Sequence, residues 1–377
     1  MMKKTLILAA SCLALSCSAT AGDLHVSGNL SELGNDTLVA LTYQDRQPDQ
    51  TVKVLAKDGA FDFHITVDQP KYLVMQVRRP KTANAVPMRS YLMLMAMPDE
   101  ELKVTGSFSK YELGGSAYYQ QLQQCRQQVA FFEEGSWNIQ VQFEEKLKQG
   151  ANRDSLEKAL NVTFDELKAK ASDVALAYIK QHPDQEASEY LLSYVADERY
   201  KEGVDALSAS VREGRLKSRI DEYAASAQKS LDRELAKKKV AEGNPAPDFT
   251  LKSLDGKDFT LSSLKGKTVV LDFWGSWCVW CIKGMPKMKE YYAKYKGKFE
   301  IVGIDCNDTD QKWRDAVKKH ELPWLHVRNE GATDVTVLYG IEGFPTKIII
   351  DPEGKISKVA VGESEDFYTY LDQLLSK

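Results

Sequence analysis

Two cysteines separated by two residues, in Cys278-Val279-Trp280-Cys281, are the part of this sequence best equipped for chemistry. At that spacing the second thiol lies about one helical turn beyond the first, close enough to close a small disulfide ring. Ahead of them runs Thr268-Val269-Val270-Leu271-Asp272-Phe273-Trp274, an apolar run with the character of a buried strand. A strand that hands C-x-x-C to the start of a helix is an arrangement for thiol–disulfide redox exchange. The free N–H groups and partial positive charge of the first helical turn favour a thiolate at Cys278.

Residues 241–377 supply the elements needed to hold that pair. Strand 268–274 leads to the helix from Cys278, then strand 299–305, helix 309–319, a short strand at 325–328 and a helix at 334–339. Strands 346–351 and 358–361 and a helix at 365–375 close the domain. Parallel crossovers with an antiparallel end describe one α/β sheet covered by helices. Gly243-Asn244-Pro245, after the basic run Lys237-Lys238-Lys239, marks the boundary before it.

The run Asp272-Phe273-Trp274-x-x-Trp277-Cys278-x-x-Cys281 resembles the thioredoxin signature, and the stretch from about Glu242 onward resembles the TlpA/ResA branch of extracytoplasmic thioredoxins. Asn244-Pro245-Ala246-Pro247-Asp248-Phe249, Leu254-Asp255-Gly256-Lys257 and Gly343-Phe344-Pro345-Thr346 match that branch as well. The resemblance covers about the last third of the chain. It implies a thioredoxin fold and an enzyme that exchanges disulfides with proteins. Cys278 would be the nucleophile, Cys281 the resolving thiol, and Asp272 the group that takes the proton of Cys281 through a water. Pro345 would be cis, freeing the backbone of Phe344 to pair with an extended substrate, with Trp277 and Trp280 as an apolar substrate rim. Three departures are visible. Strand 299–305 offers no lysine beside Asp272, Gly284 replaces a usual glutamate, and Val279-Trp280 replaces the Gly-Pro of thioredoxin. No cofactor and no metal site is expected.

The 377 residues suggest several domains, and 43% apolar content supports ordinary cores. A net charge of −4 gives no reason to expect nucleic acid as a partner. Lys3 and Lys4, the apolar run 6–15 and Ala19-Thr20-Ala21 read as a secretory signal cleaved after Ala21. Lipoprotein processing at Cys17, giving a lipid anchor, is the alternative, although Ala14-Leu15-Ser16 lacks the usual aliphatic residue three before the cysteine. Either reading places the protein in the periplasm or cell envelope, where disulfides persist.

Residues 22–115 read as an all-β domain, an antiparallel sandwich or barrel, with strands at 51–56, 61–67, 72–77, 91–97 and 102–106. Asp58-Gly59 is the expected hairpin turn between the first two. This region resembles the all-β domain that often precedes thioredoxin modules in exported proteins, and it is read as a binding or docking module or a spacer. His64 reads as an ordinary surface histidine. Residues 116–240 read as helical, with one apolar stripe through Phe164, Leu167, Ala171, Val174, Ala175 and Tyr178. A second runs through Leu216, Ile220, Tyr223, Ala227, Leu231 and Leu235. These are core faces or, alternatively, a dimerisation seam. Cys125 and Cys306 read as passive thiols.

The leading functional expectation is an exported thiol–disulfide oxidoreductase, a reductase recharged by a membrane electron donor, with cytochrome c maturation as its setting. The alternatives are a disulfide-introducing oxidase of the same fold, or an envelope protein that binds partners or carries metal. A thiol peroxidase would need P-x-x-x-T-x-x-C, and Leu271 and Gly275 stand at the Pro and Thr positions. A metal carrier would need more ligands near the thiols than His320 and His326, which lack ligand spacing to the pair.

Overall fold

The computed structural model describes residues 22–44, 47–77 and 91–376. The leader with Lys3, Lys4, Cys17 and Ala21 lies outside the described residues. The chain forms two compact units that divide between Ala224 and Ala225.

In the first unit, β1 (Gly22–Leu30), β2 (Thr37–Gln44), β3 (Gln47–Leu55), β4 (Ala60–Val67), β5 (Lys71–Val77), β6 (Tyr91–Ala96), β7 (Glu101–Gly106) and β8 (Tyr111–Gly115) build two four-stranded sheets. Their orders are β4-β1-β7-β8 and β3-β2-β5-β6. All the ladders in them are antiparallel except β1–β7, which is parallel. Strand β4 alternates strictly, burying Phe61, Phe63, Ile65 and Val67 while Asp62, His64 and Thr66 face solvent.

One expectation is corrected here. Asp58 and Gly59 both have positive φ, as their turn requires, but the strands they join do not form a hairpin. After the single bridge Lys57–Ala60, β3 pairs with β2 in one sheet and β4 with β1 in the other. The turn passes the chain from sheet to sheet because the buried face of β4 belongs to the core shared by both.

Helices α1 (Ala117–Lys148) and α2 (Arg153–Gln181) follow, the latter capped by Asn152 Oδ1, which accepts from Ser155 N at 3.0 Å. Short helices α3 (Tyr200–Ala206) and α4 (Ala209–Arg212) lead to α5 (Lys217–Lys239). Cys125, Val129, Ala175, Leu176, Ile179, Leu216 and Ile220 join the strands in one continuous core. The stripe on α5 is cut short: Leu235 is 57% exposed, and Ala236 and Val240 are buried instead. Nine residues separate Ala227 from Ala236, half a turn out of phase at 100° per residue. The end of α5 therefore buries a different face, and Gly340 packs against the Arg233 carbonyl and Lys237.

In the second unit, β9 (Thr250–Ser253), β10 (Asp258–Thr260), β11 (Thr268–Trp274), β12 (Phe299–Asp305), β13 (Leu325–Arg328), β14 (Thr346–Ile350) and β15 (Ile356–Val361) form one sheet ordered β10-β9-β13-β12-β11-β14-β15. Helices α6 (Val279–Lys294), α7 (Asp310–His320), α8 (Val335–Leu338) and α9 (Glu365–Leu375) complete it. Central β11 runs parallel to β12 and antiparallel to β14, and every one of its residues is buried. Its period of two decides the site. Val269, Leu271 and Phe273 enter one core, while Val270 and Trp274 enter the other, which also holds Cys278, Cys281 and Met285. Asp272 falls on the cysteine side. Among the described residues, no helix is long and apolar enough to cross a membrane.

Candidate active site

Strand β11 ends at Trp274, the chain turns through Gly275 and Ser276, and Cys278 becomes the N-cap of α6. Asp308 fastens the turn, its carboxylate accepting from Ser276 N at 2.6 Å and Ser276 Oγ at 2.7 Å. Cys278 and Cys281 are joined by a disulfide, with Cα atoms 5.3 Å apart. The amide of Cys281 points at Cys278 Sγ, 3.1 Å away, in the position of a helix N-cap bond. An amide so placed stabilises negative charge on that sulfur once the bond opens. In the oxidised pair each cysteine is 5% exposed, so exposure does not tell the two thiols apart. What distinguishes Cys278 is its place at the cap, with the Cys281 amide aimed at its sulfur.

The rim around the pair is apolar and open. Trp277 is 48% exposed and Trp280 62% exposed. Trp277 Nε1 donates to the Cys306 carbonyl at 2.9 Å, and its ring meets Phe344 edge-on at 5.1 Å. Lys283 lies over the Trp280 ring at 4.4 Å. The Phe344–Pro345 bond is cis, and Phe344 packs against the cluster that contains both cysteines.

Behind the pair, Asp272 is buried, and its Oδ1 has no hydrogen-bond partner among the described residues. Burial pushes its carboxyl above the usual carboxylate range; the Lys347 charge opposes that rise and the Glu363 charge reinforces it. Lys347 is the lysine that β12 does not supply. It stands opposite Asp272 on the other neighbouring strand, β14, and is only 2% exposed. Because Ile349 enters the cysteine-side core, the same alternation directs Lys347 to that side. Its ammonium bonds Glu363 Oε1, and Tyr368 OH donates to Glu363 Oε2 at 3.3 Å.

Gly284 has its explanation in the same group. A Cβ there would sit 2.1 Å from Glu363 Oε1, so the Glu363 carboxylate occupies the space a side chain at 284 would take. Lys347 and Glu363 were not singled out from sequence. A lysine inside the otherwise uncharged strand Thr346-Lys347-Ile348-Ile349-Ile350 was the available signal, since a charge in a central strand calls for a buried partner.

The remaining candidates sit apart from this chemistry. Cys306 is fully buried and its thiol is pushed far up by burial. Cys125 is likewise buried, its thiol pushed up to about 12. Both hold their protons and are poor nucleophiles. His326 is buried between Trp274 and Trp324, and burial lowers it to about 4. Burial also lowers His320, at the end of α7.

Comparison with known proteins agrees with this geometry. The Redoxin family model matches residues 241–374. A thiol–disulfide oxidoreductase, ResA of Bacillus cereus, is 38% identical over 141 residues, spanning 37% of this chain and 81% of the relative. ResA of Bacillus subtilis is 37% identical over 129 residues, 33% of this chain and 70% of the relative. Among solved structures, the thioredoxin domain of a thiol–disulfide oxidoreductase from Bacteroides vulgatus is 31% identical over 36% of this chain and 98% of that one, with a TM-score of 0.33.

Proposed function

The chain belongs to the ResA family of thiol–disulfide oxidoreductases, and from that premise we propose that it is an exported reductase of protein disulfides in the cell envelope. Maturation of c-type cytochromes is the setting this reading favours, with a membrane donor returning electrons to the pair. The observation that carries the reading is the cysteine pair at the N-cap of α6, with the Cys281 amide on Cys278 Sγ and an exposed tryptophan on either side.

In the reduced enzyme, Cys278 thiolate attacks one sulfur of a client disulfide. A mixed disulfide forms and one client thiolate leaves. Cys281 then gives its proton to Asp272 through a water and attacks Cys278 Sγ, expelling the second client thiolate. The client has gained two electrons and the enzyme is left as the Cys278–Cys281 disulfide. Lowering the Cys278 pKa from about 8.5 to about 7 raises the thiolate fraction at neutral pH roughly fifteenfold and cuts nucleophilicity roughly fivefold. Attack gains only about threefold. The larger consequence is that Cys278 becomes a better leaving group whenever a thiolate attacks the sulfur bonded to it; in resolution, where Cys281 attacks Cys278 Sγ, the group that leaves is the client thiolate.

Reduction of insulin disulfides by the dithiol-charged protein tests the assignment. The wild-type chain should turn over, and Cys278→Ser should abolish turnover. Activity retained by that variant would refute the role of Cys278.

A further inference from the structure

We propose that His25, Asp62 and His64 form a binding site for a divalent transition-metal ion of the Zn2+ type on the solvent face of the β1–β4 ladder. Antiparallel pairing sets His25 opposite His64, Ser27 opposite Asp62 and Asp23 opposite Thr66. Leu24, Val26, Phe63 and Ile65 turn into the core, so the period of two sends both histidines and both aspartates to the other face. The two imidazoles stack with centroids 4.6 Å apart and planes inclined by 15°.

The polar contacts are those of a ligand set. His25 Nε2 lies 3.1 and 3.2 Å from the two carboxylate oxygens of Asp62. One ligand atom from each of His25, Asp62 and His64 lies within 4.8 Å of the others. Tetrahedral Zn2+ with bonds of about 2.0–2.1 Å holds its ligands roughly 3.3 Å apart. The His25–Asp62 edge already has that length, and the other edges need to close by no more than about 1.5 Å, within reach of side-chain rotation. Asp23 Oδ2 bonds His64 Nδ1 at 2.5 Å. Neutral His64 then carries its proton on Nδ1 and offers the Nε2 lone pair, as in a carboxylate–histidine–metal relay. His25 binds through Nε2 as its proton moves to Nδ1, and the ion replaces the hydrogen bond to Asp62.

Plain ion pairing explains the arrangement less well. Two cationic imidazoles stacked directly across a ladder would repel each other. One divalent ion instead satisfies two nitrogens and a carboxylate and leaves an open position for water, a set that suits Zn2+, Cu2+ or Ni2+. Strand β7 adds the other charges on this face: Glu101 pairs with His25 and Lys103 with Ser27.

The test is a Zn2+ titration of the full chain against a chromophoric chelator at pH 7.5, with Cys278–Cys281 kept oxidised so that its sulfurs do not ligate. One Zn2+ per chain is expected. His25→Ala and His64→Ala should each weaken binding at least tenfold, and Asp23→Asn about ten- to hundredfold through its hold on His64. The His64 and Asp23 side chains are more than half exposed and the His25 side chain is 32% exposed, all on the solvent face and outside the apolar core, so these variants keep the fold. Zinc binding well below one equivalent, or wild-type affinity in both histidine variants, would overturn the proposal.

Discussion

Lys347 is the cross-strand partner of Asp272 on the β11–β14 ladder, and its ammonium is bonded to Glu363, so the buried acid behind the cysteines faces a cation that is itself paired with a carboxylate. Burial keeps the Asp272 proton on to higher pH than usual, while Lys347 holds that rise in check. Asp272→Asn should slow resolution of the mixed disulfide roughly a hundredfold, the low end of general-base effects. Acid quenching would then trap accumulated mixed disulfide with a model client. In Lys347→Met the opposing charge is gone, so Asp272 stays protonated to higher pH and the pH profile of resolution should move in the alkaline direction. An unmoved profile would exclude coupling between the two groups.

Gly284 and Glu363 should behave as one unit. Alanine in place of glycine within a helix normally stabilises by about 1 kcal/mol. At Gly284 the added methyl meets the Glu363 carboxylate that Lys347 holds. Gly284→Ala should therefore destabilise by about 1–3 kcal/mol. In a Glu363→Ala background the same change should become neutral or stabilising. Denaturant melts of the four proteins in a double-mutant cycle read this directly.

How much of the site can be read from sequence follows from how local each part is. Strand β11, the turn and the helix-capping cysteine are consecutive, and their hydrophobic period and spacing carry the information. Asp272 is legible because it is the charged residue of that apolar run and matches the acid of the signature the run resembles. Lys347 and Glu363 come from strands and loops brought alongside only by sheet order, and nothing near Asp272 in sequence announces them. The Asp58-Gly59 turn shows the same limit: its two positive φ values are local, whereas the sheet each flanking strand joins is set by tertiary packing. Leu235 fits its stripe by spacing, yet α5 changes its buried face before reaching it.

Besides Asp272, two buried groups contribute to the pH dependence of folding in the second unit. Asp305 is fully buried, and burial, together with the neighbouring Asp308, pushes its carboxyl up to about 9. The folded state then binds this proton more tightly than the unfolded state, so its contribution is full below about pH 4 and is lost as pH rises toward 9. Asp305→Asn should raise the melting temperature more at pH 8 than at pH 4. His326, lowered to about 4, acts in the opposite direction. Its contribution is present above about pH 6.5 and is lost as pH falls toward 4, because the unfolded chain takes up the proton first. His326→Gln should flatten the acid limb of the stability profile, measured by thermal melts across pH.

Trp280 projects beside the disulfide, and its ring is free of the carbonyl bond that anchors Trp277. Trp280→Ala should change stability by no more than about 0.5 kcal/mol, as exposed substitutions do. Loss of a tryptophan at a docking surface typically costs more than 1 kcal/mol of binding, about fivefold or more. The Michaelis constant for a protein disulfide should rise by that factor. The rate with a small disulfide such as oxidised glutathione should stay nearly unchanged.

In the proposed function the Cys278–Cys281 pair is a reductant. Its equilibrium reduction potential can be measured by equilibrating the protein in thiol–disulfide buffers and following the fluorescence of Trp277 and Trp280. A reductase of this kind should lie near the thioredoxin value of about −270 mV. A potential near −120 mV, about 7 kcal/mol away for a two-electron couple, would make the pair an oxidant that introduces disulfides and would rule out a reductase.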